Sequence, residues 1–152
     1  MVPSLDAVRH ASRVGVGDYR RRDVFRLPAM NASVADARGR VRMRLSEWGA
    51  DLELCDDASL VITELFTNAV RHTDSEKITC VLQDSGAFVR LEVTDQGRGT
   101  GVPEPCAADA DEEGGRGLLL VSVLSLAWGS DPADGGTGRV VWAELAAHHA
   151  PR

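Results

Sequence analysis

Three stretches of this chain carry residues that packing alone would not choose. In Glu64-Leu65-Phe66-Thr67-Asn68-Ala69-Val70-Arg71-His72, an acid and an amide stand one turn apart on one face of a helix, with Leu60, Thr67 and Arg71 beside them. Ala58, Val61, Ile62, Leu65, Ala69 and Val70 form an apolar stripe behind them, wide enough for the inward side of a core helix. That helix is buried on one side and chemically equipped on the other. In Phe88-Val89-Arg90-Leu91-Glu92-Val93-Thr94-Asp95 the alternation is clean, and Asp95 inherits the inward direction of Val89, Leu91 and Val93. A carboxylate aimed inward is costly unless donors reach it, so a ligand or a structured polar pocket is expected there. Gly97, Gly99 and Gly101 follow at once and allow another molecule close to the backbone. Finally, Gly114-Gly115-Arg116-Gly117 launches an apolar helix from Leu118. Its first N–H groups and partial positive charge suit a phosphate.

The surrounding elements must position these residues. Residues 1–22 lack a sustained period and end in Arg20-Arg21-Arg22, which reads as an arm. Asp23 to Leu27 reads as a strand stopped by Pro28 and placed at a sheet edge. Ser33 and Asp36 resemble a capping box, after which Val34, Ala37, Val41, Leu45 and Trp48 mark an amphipathic helix ending at Gly49. Arg38, Arg40, Arg42 and Arg44 lie away from that stripe and are expected to solvate it. The second helix is entered through Cys55-Asp56-Asp57 and runs to about Thr73. Residues 78–83 and 88–95 form a hairpin around Asp84-Ser85-Gly86. Residues 102–113, with two prolines and Asp109, Asp111, Glu112 and Glu113, predict a mobile loop able to act as a lid. A deeply packed helix over 118–126, a strand from Ala127 to Asp131, a turn at 135–138 and a closing strand over 139–145 complete the chain. His148-His149 belongs to a tail rather than a metal site.

A length of 152 residues fits one domain. With 43% hydrophobic and 26% charged residues the chain is globular, and no apolar run reaches the ~20 residues that span a bilayer. The first residues carry charge early and lack an apolar h-region, so the expected compartment is the cytoplasm. Cys55, Cys80 and Cys106, odd in number and without a Cys-x-x-Cys pair, suggest reduced structural thiols. A formal charge of −6 argues against direct nucleic-acid binding while leaving room for a nucleotide held by backbone N–H groups.

Taken in order, Glu64-x-x-x-Asn68-Ala69 on a helix, Asp95-x-Gly97-x-Gly99 after a strand and Gly115-x-Gly117-Leu118 opening a helix resemble the N, G1 and G2 boxes of the GHKL or Bergerat-fold ATPases. Glu-Leu-x-x-Asn-Ala-x-x-His and Gly-Arg-Gly-Leu-x-Leu-Val are most similar to the anti-sigma-factor serine/threonine kinase branch. The resemblance covers residues 23–146, flanked by the arm 1–22 and a tail 147–152. It implies an α/β (α+β) two-layer sandwich, with a mixed, mostly antiparallel sheet, helices on one face and ATP beneath a flexible lid. By the same resemblance Asn68 coordinates Mg²⁺ and Glu64 is the general base or water-orienting group. Asp95 accepts the adenine amino group, Gly97 and Gly99 admit purine and ribose, and Gly115, Gly117 and Leu118 open the phosphate-binding turn. Arg116 is the side-chain partner for phosphate charge, and Arg71 and His72 line the site.

The implied reaction is transfer of the γ-phosphoryl group of ATP to a Ser or Thr of an anti-sigma-factor antagonist, by a kinase, often a homodimer in that family, that holds a sigma factor inactive. An ATP-binding module that sequesters its partner without phosphoryl transfer has the same nucleotide-site residues and stays open as an alternative. The acids of the 102–113 loop, which repel phosphate unless they face solvent or Mg²⁺, bear on that choice. A complete histidine kinase would also need a dimerisation helix pair and phosphoacceptor segment, for which 152 residues leave no room.

Overall fold

The computed structural model describes residues 20–73, 75–95, 115–133 and 138–147, with the side chains of 115–117 left aside. Its elements are β1 (Arg21–Pro28), α1 (Ser33–Glu47), α2 (Leu52–His72), β2 (Lys77–Asp84), β3 (Phe88–Asp95), α3 (Gly115–Leu124), β4 (Ala127–Pro132) and β5 (Arg139–Ala146). The five strands make one sheet in the order β1-β2-β3-β5-β4, so the strand stopped by Pro28 is indeed an edge. Every described pair is antiparallel, which sharpens the expected mixed, mostly antiparallel sheet. The β2–β3 turn is tight. Gly86 has φ +95°, its N–H donates to Asp84 Oδ1 at 2.8 Å, and Phe88 N–H donates to Ser85 Oγ at 3.0 Å.

Alternation and register decide which face meets the helices. Val89, Leu91 and Val93 of β3 are buried, and Leu145, Ala143 and Val141 stand opposite them on β5. On the other flank Leu82 and Cys80 face Leu91 and Val93, and Phe25 of β1 extends that row. Side chains directly opposite in an antiparallel pair share a face, so these residues make one apolar floor. Over it lies α2, packed against β2, β3 and β5; α1 packs on α2 and β1, and α3 on α2 and β4. Leu54, Val61, Ile62, Leu65 and Phe66 of α2 are fully buried, each favoured by roughly 1.5–3 kcal/mol on removal from water. That outweighs the ~0.7 kcal/mol or less by which Asn disfavours a helix.

Several local expectations change. The capping box does not form: Ser33 is buried inside the first turn, Ala32 holds the N-cap position, and no side chain caps it. A backbone turn does that work, with Ser33 N–H donating to Met30 O at 3.0 Å. Helix α2 begins earlier than Cys55, because Asp51 accepts the Leu54 N–H at 2.9 Å and the buried Leu54 anchors the first turn. Strand β1 takes in Arg21 and Arg22, expected in the arm, and Arg21 donates to the Trp48 carbonyl at 2.8 Å. The α1 arginines are not mere solvating groups. Arg40 grips Asp23 of β1 with two bonds, 2.9 and 3.1 Å, Arg44 pairs with the same carboxylate at 3.2 Å, and Arg40 stacks on Phe25. Arg42 donates to Ser59 at 3.0 Å and pairs with Asp56, both on α2. A long guanidinium can leave an apolar stripe and still reach the neighbouring element, which spacing along one helix does not show.

Helix α3 also departs from the deep packing expected of it. Val121 is fully buried, while Leu119 and Val123 are 64% and 71% exposed; among the described elements α3 packs chiefly on α2, with a smaller contact to β4.

Candidate functional site

Several polar side chains of α2 are committed to the fold. Asp51 caps it; Ser59 and Thr63 donate back to the carbonyls of Cys55 and Ser59, both at 2.7 Å; Ser59 and Thr63 also receive Arg42 and Arg38 from α1. Glu64 and Asn68 are not among them. Both are half-buried, and neither side chain has a hydrogen-bond or ion-pair partner among the described residues. Leu65, Phe66 and Ala69 around them turn into the core, so the pair stands at the margin of the buried stripe of α2. Arg71 and His72 are exposed in the last helical turn.

Asp95 closes β3 on the helix-facing side of the sheet, as alternation predicts. Register sets it between Ile78 of β2 and Arg139 of β5, with Leu27 and Pro132 at the two ends of the same row. Two adjacent charged residues thus interrupt an otherwise apolar row. Gly115 and Gly117 open α3. Helix α2 is the common neighbour of these parts, since it packs on β3 and on α3. Leu118, at the start of α3, is half-buried. Gly97, Gly99 and the acidic loop lie outside the described residues, as do Cys106 and His148-His149, and Arg116 is described only as backbone within α3.

Thiol and cage-metal chemistry find no footing in the described residues. Burial pushes the Cys80 thiol up to about 12 and raises that of Cys55 as well, so neither is a ready nucleophile. No group of three or more His, Cys, Asp and Glu is arranged among the described residues to hold a metal ion.

Sequence reasoning missed a polar cluster on the opposite face of the sheet. Arg90 donates to Glu92 at 2.7 Å and to Glu144 at 2.9 Å, and stacks over the Trp142 ring with 4.4 Å to its centroid. Trp142 is fully buried, and its indole N–H donates to Asp131 at 3.2 Å. The signal lay in the alternate residues of β3, Arg90, Glu92 and Thr94, but their partner Glu144 is supplied by a register that no single strand reveals.

The profile of the histidine kinase-like ATPase domain matches residues 27–144. The chain belongs to that family. This ATPase domain is 32% identical over 115 residues to "Blue-light-activated histidine kinase 2" of Erythrobacter litoralis (strain HTCC2594), covering 70% of the chain and 32% of the relative. It thus spans about a third of the curated relative's length. Among solved structures, the RsbU and RsbW domains of Rv1364c from Mycobacterium tuberculosis superpose with a TM-score of 0.61 at 21% identity, over 87% of this chain and 34% of that one. That likeness concerns the fold: an α+β layer pair with a five-stranded antiparallel sheet. The histidine kinase-like ATPase domain is an ATP-binding module, and among the described residues no helix is long and apolar enough to cross a membrane.

Proposed function

We propose that this ATPase domain is a serine/threonine protein kinase of the anti-sigma-factor type, which phosphorylates an anti-sigma-factor antagonist and regulates a sigma factor. The observation that carries the proposal is the pair Glu64 and Asn68, one turn apart and half-buried on a core helix, with no hydrogen-bond or ion-pair partner among the described residues. The Gly115-Arg116-Gly117-Leu118 phrase and Asp95 in the helix-facing row support the nucleotide part of the reading. Asp95 accepts the adenine amino hydrogen, Gly97 and Gly99 let purine and ribose approach, and Gly115 and Gly117 turn N–H groups to phosphate with the Arg116 charge beside them. Arg71 and His72, at the exposed end of α2, border the same region.

Mg²⁺ suits the donor set. A nucleotide-bound Mg²⁺ draws its oxygens mainly from phosphate and water and needs one or two from protein, which the Asn68 amide oxygen can supply. When bound, it would neutralise charge on the phosphates. Glu64 then takes the proton from a partner Ser or Thr hydroxyl, whose oxygen bonds to the γ-phosphorus as the bridge to the β-phosphate breaks and ADP leaves. Positioning and charge stabilisation carry most of the rate in such a transfer.

A second reading, ATP-dependent sequestration of a partner without transfer, is favoured by Asp109, Asp111, Glu112 and Glu113 in the loop expected to cover the phosphates. Incubation with γ-labelled ATP and candidate antagonist proteins separates the two. Label on a partner Ser or Thr is expected; ATP binding with no label on any partner, and capture of the partner only with ATP, selects sequestration.

A further inference from the structure

The sheet places a cation directly beside the base-site carboxylate. Asp95 and Arg139 are register partners on β3 and β5, and both face the helices. Opposite residues in an antiparallel pair bring their Cβ atoms within about 5.5 Å of each other. Arg139 is half-buried in a row it shares with Leu27, Ile78, Asp95 and Pro132. Ser130 of β4 holds it, its Oγ accepting from Arg139 Nη1 at 2.9 Å. A guanidinium has five N–H donors, and this bond uses one. Enzymes that take a base out of the stack read it by hydrogen bonds to its Watson–Crick edge, and that edge is equally open on a free nucleotide. On adenine that edge presents an amino donor next to the N1 acceptor, the complement of a carboxylate beside a guanidinium.

We propose that Arg139, held by Ser130, is a specificity-determining residue that donates to N1 of the adenine whose amino group Asp95 accepts. The proposal rests on the nucleotide reading above and deepens it from one contact to two. A single carboxylate asks only for a donor, so any base with a suitably placed amino group satisfies it. Two adjacent groups of opposite polarity fix which donor and which acceptor must lie side by side. The alternative is an ion pair across two strands with no part in base recognition, worth stability and nothing else.

Calorimetry with ATP and with 1-deaza-ATP, in which a C–H replaces N1, separates these possibilities on the full chain. Wild type is expected to bind the analogue roughly tenfold or more weakly than ATP, the range for losing a hydrogen bond to a charged group. Arg139→Met is expected to bind ATP more weakly by a similar factor and to lose the discrimination between the two nucleotides. A variant that still discriminates as wild type does, or a wild type that does not discriminate, overturns the role of Arg139 alone. Failure of wild type to bind any nucleotide overturns the site reading as well. If Arg139→Met does not fold, Ser130→Ala serves in its place, with reduced discrimination expected and unchanged discrimination overturning the proposal.

Discussion

At the scale of single residues, position in the fold separates side chains that the sequence leaves alike. Asp23, Asp84 and Asp95 are all strand carboxylates, yet Asp23 is held by two arginines and Asp84 by its own turn, while Asp95 ends the helix-facing row beside Arg139. Asp95→Asn is expected to abolish nucleotide binding with an unchanged circular dichroism spectrum, and unaltered ATP affinity by calorimetry would remove it from the base site. Glu64→Ala is expected to keep Mg·ATP binding and to lose transfer by a factor of about 10²–10⁴, the usual contribution of a general base. Labelling of the partner at the wild-type rate would dismiss that role. Gly129 shows the same dependence on place. It lies opposite Trp142 on β5, and a Cβ there would stand 2.8 Å from the ring. Trp142 is fully buried under Arg90 and has little room to yield, so Gly129→Ala should cost about 1–3 kcal/mol in denaturant unfolding.

Among the elements, α2 links scaffold to site. Its first turn is fixed by Asp51 and Leu54, its middle by five fully buried side chains, and the margin of its buried stripe carries Glu64 and Asn68. Asp51→Ala removes the cap and is expected to lower stability by about 1 kcal/mol, read as a shift in the urea midpoint with an unchanged slope. Helix α1 is tied to its neighbours by arginine rather than by apolar contact alone. Burial alone would raise the Asp23 carboxyl, but hydrogen bonds and charge from Arg40 and Arg44 outweigh it and hold it below the usual carboxylate range. The stability this contributes is present above the ordinary carboxylate range and is lost as pH falls through the depressed value.

Across the whole molecule, the two faces of the sheet answer pH with opposite signs. Glu144, on the face away from the helices, is raised by burial, with Arg90 offsetting part of the effect and Glu92 adding to it. Its protonated form is favoured in the fold, so its contribution is present at low pH and fades as pH rises through the raised value. Thermal melts of wild type and Glu144→Gln from about pH 4 to about 7 should show the variant gaining on wild type as pH rises. A gap that stays constant, or moves the other way, would contradict the assignment.

The sequence alone determined the elements and the order of the chemistry along them. Period fixes which side of a helix or strand is apolar, so the helix bearing Glu64 and Asn68, the inward turn of Asp95 and the glycines before Leu118 were all legible from local spacing. Only the tertiary structure decided what depends on residues far apart in the chain. The antiparallel register brought Arg139 beside Asp95 and Glu144 beside Arg90, and the approach of α1 to β1 joined Arg40 and Arg44 to Asp23. Strand pairing and helix packing are cooperative choices of the whole core, and a one-residue slip in register would leave each strand's pattern intact while changing every such partner.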